Sequence, residues 1–112
     1  MIDFETYARQ LKVLADPVRL KIVNMLSCME LCACSLLEGL SITQPTLSHH
    51  MKVLSTVNIV TSYKKGTWVY YAVNQIVLDE LQTKLDHIRK PKPDCACYQH
   101  IQECAQKQRQ KQ

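Results

Sequence analysis

Residues 16–54 constrain the fold of this chain more than any other stretch, because they contain two well-delimited amphipathic helices close together. The first lies in LADPVRLKIVNML, where Asp16 is suited to cap a helix whose first residue is Pro17. Apolar residues recur along it at helical spacing and predict one buried face: Val18, Ile22, Val23 and Leu26. We therefore expect a helix that ends just before Cys28.

The second such helix is predicted over SITQPTLSHHMKVL. Ser41 or Thr43 can cap it, and Pro45 fits its first turn. Its apolar positions repeat at i, i+4 and i+7: Leu47, Met51 and Leu54. Between these helices a short one is expected from Cys34 to Glu38, with Gly39 as its terminator. Together they predict a helix-turn-helix unit.

The flanking segments complete a small domain. Residues 4–15 have the apolar spacing of a first amphipathic helix, and residues 76–90 have that of a last one, which the sequence KPKP then stops. Two β-rich runs, Ile59–Tyr63 and Thr67–Val73, flank the turn sequence KKG and predict a hairpin. The expected fold is mainly α with a small β-hairpin, a winged helix-turn-helix at residues 1–90 followed by a cysteine-containing C-terminal tail at residues 91–112.

The distribution of charge favours an anionic partner. The net charge is only +4, but no acidic residue occurs between Glu38 and Asp79. Such a region suits the phosphate backbone of DNA. We expect base readout by short polar side chains of the second helix in the unit and phosphate contacts by lysines, which gives this DNA-binding set: Gln44, Thr46, Ser48, His49, Lys52, Lys64 and Lys65. His50, at the edge of the apolar face, is interpreted as a boundary residue.

The chain has six cysteines. It opens MIDFETYARQL, with no apolar run after a basic start, and nothing approaches the roughly 18 apolar residues of a membrane span. We therefore expect a soluble, cytoplasmic protein whose thiols are reduced and serve metal binding or redox chemistry. Two thiols stand in ELCACSL and three in the tail, and these five are the candidate metal ligands: Cys32, Cys34, Cys95, Cys97 and Cys104. Cys28 is expected to be a buried structural cysteine.

Over roughly residues 7–90 the chain resembles the ArsR/SmtB family of metal-responsive winged-helix repressors. The resemblance rests on four segments in the same order: LADPVRLKIVNML, ELCACSL, TQPTLSHHMKVL and the Lys-Gly hairpin. Within that family the chain is most similar to arsenical-resistance operon repressors, whose ELCVCDL motif matches at both cysteines. There are two departures: Leu37 stands where some of these repressors have a third cysteine, and Val57-Asn58 replaces a customary Ala-Gly.

The resemblance implies a homodimer built from the first and last helices that binds an imperfect palindrome of double-stranded DNA. It also implies As(III) or Sb(III) as inducer, with no organic cofactor and no enzymatic activity. Such an ion takes three soft sulfur ligands. The third could come from the tail of either chain, the tail could form its own site, or the tail thiols could be incidental.

Helix geometry adds a condition, because side chains at i and i+2 of an ideal helix point about 200° apart. Cys32 and Cys34 can therefore share an ion only if that turn is loosely capped or unwound. From this we expect that an ion bound there distorts the start of the third helix and disturbs the helix that reads DNA.

Four alternative functions compete with this interpretation. The zinc site on the last helix of some relatives would fall at Asn74, Ile76, His87 and Lys90, of which only His87 matches, so that site is rejected. Cadmium or lead sensing and a thiol redox switch remain alternatives. A thiol enzyme or metal carrier is disfavoured, because no nucleophile with its base is recognisable and Cys-x-x-Cys is absent.

Overall fold

The computed structural model describes residues 2–91 and residue 105. These residues form five helices: α1 (Phe4–Leu14), α2 (Pro17–Leu26), α3 (Ala33–Leu40), α4 (Gln44–Thr56) and α5 (Gln75–Arg89). They also form three strands: β1 (Leu31–Cys32), β2 (Val60–Lys65) and β3 (Trp68–Val73). The order confirms the predicted winged helix-turn-helix. The chain divides after Gln82 into two units, and the described part of the second is essentially the end of α5.

The predicted start of α2 is confirmed in detail. Asp16 Oδ1 accepts hydrogen bonds from the backbone N–H groups of Val18 and Arg19, at 2.9 and 3.1 Å, and Pro17 occupies the first helical position. These bonds, that of Arg19 first, lower the pKa of Asp16. Asp3 caps α1 in the same way.

The third helix is longer than expected, and the prediction that Gly39 ends it is wrong. The helix continues to Leu40 and ends at Ser41, whose φ of 54° is left-handed. A Cβ atom at Gly39 would lie 2.6 Å from Cε of Met25 in α2. Glycine is therefore needed here because two helices approach closely. From the sequence alone, a glycine of this kind cannot be distinguished from one that ends a helix.

The core holds α4 in place. Thr43 caps that helix, and its side-chain oxygen accepts from the N–H of Thr46. The three predicted apolar positions of α4 are buried, and the residues with the largest fully buried side chains come from four different elements or their ends: Ile22, Leu36, Leu47, Leu54 and Ile59. Because one face of α4 is buried in the core, the opposite face is exposed and available to a partner.

The hairpin has a third strand that sequence patterning missed. β1 pairs antiparallel with β3, so the sheet order is β1-β3-β2. A strand of two residues is too short to show alternation. The lysines predicted for the tip lie at the end of β2, and the turn follows at Gly66, whose φ is 65°. Asn58, before the hairpin, is also left-handed at φ 60°, a conformation that asparagine tolerates.

Helix α5 buries Leu81, whose carbonyl accepts a hydrogen bond of 3.3 Å from the hydroxyl of Tyr7 in α1. Several large apolar side chains of α1 and α5 remain exposed in the single chain: Phe4, Leu11, Ile76, Leu85 and Ile88. No helix among the described residues is both long and apolar enough to cross a membrane.

Candidate DNA-binding and thiol sites

The outer face of α4 carries the polar residues predicted to read DNA. Gln44 and Ser48 are one turn apart, and Nε2 of Gln44 donates to Oγ of Ser48 at 3.3 Å. The hydroxyls of Thr43 and Thr46 lie 2.9 Å apart. All five predicted positions of this helix are exposed: Gln44, Thr46, Ser48, His49 and Lys52. Their hydrogen-bonding groups face outward from the buried side of the helix.

His50 lies at the boundary between this face and the core, as expected. Nη1 of Arg19 lies 3.1 Å from Nδ1 of His50, and because a guanidinium has no acceptor, the imidazole accepts. Nε of Arg19 donates to the carbonyl of Val13, and Asp16 lies 3.9 Å from its Nη1. Arg19 therefore joins the start of α2 to α4, a role that sequence reasoning missed because the two residues are 31 positions apart.

The hairpin follows α4 directly, and backbone hydrogen bonds fix its base to the helix. The N–H of Asn58 donates to the carbonyl of Ser55 at 3.1 Å, and that of Ile59 donates to Leu54 at 3.2 Å. At the far end, Lys64 and Lys65 are exposed and pair with Val69 and Trp68 of β3. The lysines predicted to bind phosphate thus lie next to the turn of the hairpin, and the opposite end of the hairpin is hydrogen-bonded to α4.

The two thiols of ELCACSL come together without unwinding a helix. Cys32 is the last residue of β1 and the N-cap of α3, with extended φ and ψ of −76° and 159°, whereas Cys34 lies within α3. Because Cys32 is outside the helix, the separation expected for i and i+2 does not apply. The Cys34 thiol has the largest influence on the pKa of Cys32, which indicates that the two thiols are neighbours.

This contact polarises the pair. Hydrogen bonds from the Cys34 thiol and then from Ser35, whose Oγ is 3.3 Å from Sγ of Cys32, lower the pKa of Cys32 to about 7. The same contact raises the pKa of Cys34, because its proton is shared with a neighbouring thiolate. Near neutral pH the pair therefore holds between one and two protons and carries a substantial fraction of one negative charge.

The pair could supply two of the three sulfurs that a trivalent arsenic or antimony ion would take. Within residues 2–91, no cluster of three or more histidine, cysteine or acidic side chains is placed to hold a metal ion. Cys95, Cys97 and Cys104 lie outside the described residues. Cys28 is exposed, so the prediction that it is buried is wrong: it follows α2 in a turn rather than on the helix's apolar face.

Comparison with known proteins identifies the family. The model of the bacterial regulatory protein arsR family matches residues 16–62. An arsenical resistance operon repressor of Staphylococcus xylosus is 51% identical over 96 residues, which cover 86% of this chain and 92% of that protein. The chain belongs to the ArsR family. Another arsenical resistance operon repressor, from Staphylococcus aureus, is 46% identical over the same shares of the two chains.

The fold comparison agrees with this membership. The crystal structure of a possible transcriptional regulator for arsenical resistance has a TM-score of 0.65 at 29% identity, and the match covers 70% of this ArsR-family chain and 82% of the other. The chain is therefore an ArsR-family transcriptional repressor that binds DNA, and the prediction that it is not an enzyme is confirmed.

Proposed function

We propose that this ArsR-family repressor controls an arsenical-resistance operon and leaves its operator when As(III) or Sb(III) binds Cys32 and Cys34. The observation that carries this proposal is the convergence of these two thiols at the start of α3, with the pKa of Cys32 held near 7. The names of the Staphylococcus relatives support the same inducer class. Soft thiolates prefer such thiophilic ions over hard cations.

A third sulfur completes the site in this proposal, and it comes from Cys95, Cys97 or Cys104 of the tail. The same or the partner chain could provide it, and a separate three-sulfur site within the tail is the competing arrangement. The described residues favour an outside donor, because no third ligand accompanies the pair between residues 2 and 91. Residues 1–90 then act as the DNA-binding and dimerisation domain, and residues 91–112 as the ligand-donating tail.

At the operator, α4 reads bases in the major groove through Gln44, Ser48 and His49, with Thr46 at its first turn. Lys52, Lys64 and Lys65 bind phosphates. Two protomers, joined through α1 and α5, read the two halves of an imperfect palindrome of double-stranded DNA in the cytoplasm. The exposed apolar residues of these helices support the dimer, because large apolar surfaces left in a single chain are typical of subunit contacts.

Release follows from the location of Cys32, which is both the N-cap residue of α3 and the last residue of β1. A bound ion would draw Cys32 toward Cys34 and a third sulfur. This movement would displace α3, which packs against α4, and also β1, which pairs with the hairpin. Across that sheet Cys32 lies opposite Tyr70, which stacks on Tyr63 with ring centroids 5.6 Å apart. Two DNA-contacting elements thus respond to one ligand.

A thiol redox switch is a second candidate, favoured by the lowered pKa of Cys32, since the thiolate is the form that oxidants attack. A disulfide within Cys-x-Cys closes a small strained ring, which counts against it. Cadmium or lead could use the same thiolates. Arsenite therefore has to be tested against these ions and against peroxide.

The test is arsenite-induced release from an operator duplex selected from a randomised library, measured under reducing conditions. Wild type is compared with the Cys32→Ser, Cys34→Ser double variant and with a chain truncated after Pro93, and Cys28→Ser is the control. Loss of release in the double variant, with Cys28→Ser unaffected, supports the helix site. If truncation also abolishes release, the tail supplies the third sulfur. Release of the double variant at wild-type arsenite concentrations would overturn the assignment.

A further inference from the structure

The hairpin end exposes an aromatic side chain that neither the charge pattern nor the motif comparison assigns. Trp68 is the only tryptophan of the chain and the first residue of β3, and 56% of it is exposed. An indole is the largest apolar surface that a side chain offers, and exposing it to water is unfavourable. This exposure leaves the indole available to a partner.

The sheet register shows which residues accompany it. Trp68 pairs with Lys65 across the hairpin, and two positions further from the turn Tyr70 pairs with Tyr63. Since side chains alternate across a strand, these four lie on one face. Val60 and Val73 pair with each other on the opposite face of the hairpin, which packs against the core. The indole and the Lys65 ammonium are therefore cross-strand neighbours on the face directed away from the core.

The chemistry of this end of the hairpin fits a polyanion with apolar patches. Lys64 and Lys65 directly precede the turn, and the segment between Glu38 and Asp79 is free of acidic residues. The base of the hairpin is hydrogen-bonded to the end of α4, and a strand of six residues reaches about 20 Å. The turn of the hairpin therefore lies within about 20 Å of the end of α4.

We propose that Trp68 is a DNA-contacting residue, which lays its indole against deoxyribose on the backbone at the edge of a groove while Lys65 binds the adjacent phosphate. The inference rests on DNA binding by the family and extends the lysine contacts proposed above. Contacts to sugar and phosphate carry no base information, so this contact is sequence-independent. It adds apolar burial to a surface whose other contributions are electrostatic.

The experiment uses the full chain, with its single tryptophan as reporter. Emission is excited where tyrosine does not absorb, and quenching by neutral acrylamide is measured with and without saturating duplex, selected operator or shuffled sequence. We expect at least a twofold fall in acrylamide quenching on either duplex. Unchanged quenching in a complex that a mobility shift shows to be formed would overturn the inference and leave DNA binding itself intact.

Variants test the energetic side. Trp68→Ala should weaken binding to both duplexes by about five- to tenfold, and Trp68→Phe by less, because part of the apolar contact is kept. The salt dependence should stay as in wild type for Trp68→Ala but flatten by about one phosphate for Lys65→Met. Leu20→Ala, at a residue of α2 that is 53% exposed, is the matched control and should bind normally.

Other occupants of the same surface give different results. If a second copy of the chain covers Trp68, quenching falls as protein concentration rises without DNA, and the proposal is wrong. If Trp68→Ala binds both duplexes as wild type does while its thermal unfolding is unchanged, the indole makes no useful contact and the proposal is also wrong. Failure of wild type to bind any duplex would instead overturn the DNA-binding function on which the inference rests.

Discussion

At the scale of single residues, the features that could be predicted are those whose partners are close in sequence. Asp16, Pro17 and Thr43 were recognised as helix-start residues because a cap bonds only to the next two or three N–H groups. The contact between Arg19 and His50 could not be predicted, because it depends on how α2 packs against α4. The low pKa of Cys32 likewise depends on the strand-to-helix junction at β1 and α3, which ELCACSL alone does not reveal.

The first prediction concerns the hydroxyl beside the thiol pair. Ser35→Ala removes a hydrogen bond that favours the thiolate of Cys32, so the pKa of that thiol should rise above its value of about 7 in the wild type. Alkylation by iodoacetamide, followed peptide by peptide across a pH series, should show the midpoint for Cys32 moving to higher pH. Ser27→Ala is the control, because the hydroxyl of Ser27 donates to the carbonyl of Asn24 and not to the thiol pair. An unmoved midpoint would show that the Ser35 hydroxyl does not set the pKa, and that Cys34 and the backbone N–H groups suffice.

The second prediction concerns the cap of α2. Asp16→Ala removes the acceptor of two backbone N–H groups and should lower the thermal midpoint by about 5 °C, whereas Asp16→Asn should keep most of the cap. Because the folded-state pKa of Asp16 is lowered, its charge-dependent contribution is present above the unfolded pKa and is lost as pH falls through the folded one. The difference between wild type and Asp16→Asn should therefore shrink in acid. Equal midpoints for alanine and asparagine would contradict the capping role.

At the scale of elements, long periodic segments were predicted well and short or closely packed ones were not. Helices α1, α2, α4 and α5 matched because each repeats apolar residues over two or more turns. The end of α3 was predicted wrongly because Gly39 makes room for Met25 of α2 and does not end the helix. Strand β1 was missed because its pairing with β3, a contact distant in sequence, defines it.

The third prediction concerns the connection from β1 to the hairpin. The hydroxyl of Tyr63 donates a hydrogen bond to Glu30, the residue before β1. Tyr63→Phe removes this bond but keeps the ring that stacks on Tyr70. We expect operator affinity without arsenite to change less than about twofold, while affinity at saturating arsenite rises about fivefold because the two sites are less strongly coupled.

Anisotropy titrations with and without arsenite measure both quantities. Ser62→Ala, which removes a hydroxyl from the neighbouring position of β2, is the matched control and should respond as wild type does. A Tyr63→Phe protein that is released normally would mean that the signal passes through α3 alone.

At the scale of the whole molecule, the balance of buried and exposed apolar surface argues for a second copy. Ile76, at the start of α5, is 71% exposed although it belongs to an amphipathic pattern. The sequence identified α1 and α5 as apolar but could not say whether that surface was buried within one chain. The structure leaves much of it uncovered in the single chain.

The fourth prediction follows from this surface. Ile76→Glu should raise the dimer dissociation constant at least tenfold, because it places a charge in an apolar contact, and should weaken binding to a palindrome more than to a single half-site. Sedimentation velocity and half-site titrations measure these changes. Leu20→Glu alters a similarly apolar residue of α2 that is 53% exposed and should leave the dimer unchanged. Equal behaviour of the two variants would place the interface elsewhere.

The shared proton of Cys32 and Cys34 has a consequence for the stoichiometry of induction. Neutral arsenous acid exchanges each hydroxyl for a thiol sulfur and releases water, so binding to a protonated thiol leaves the proton count unchanged and binding to the thiolate takes up one proton. Divalent cadmium instead displaces protons from thiols. With the pKa of Cys32 at about 7, the arsenite affinity should be level below that pH and fall up to tenfold for each further pH unit above it, whereas cadmium affinity should rise. Calorimetry in buffers of different ionisation enthalpy measures the protons directly, and the sign of that exchange should be opposite for arsenous acid and for cadmium.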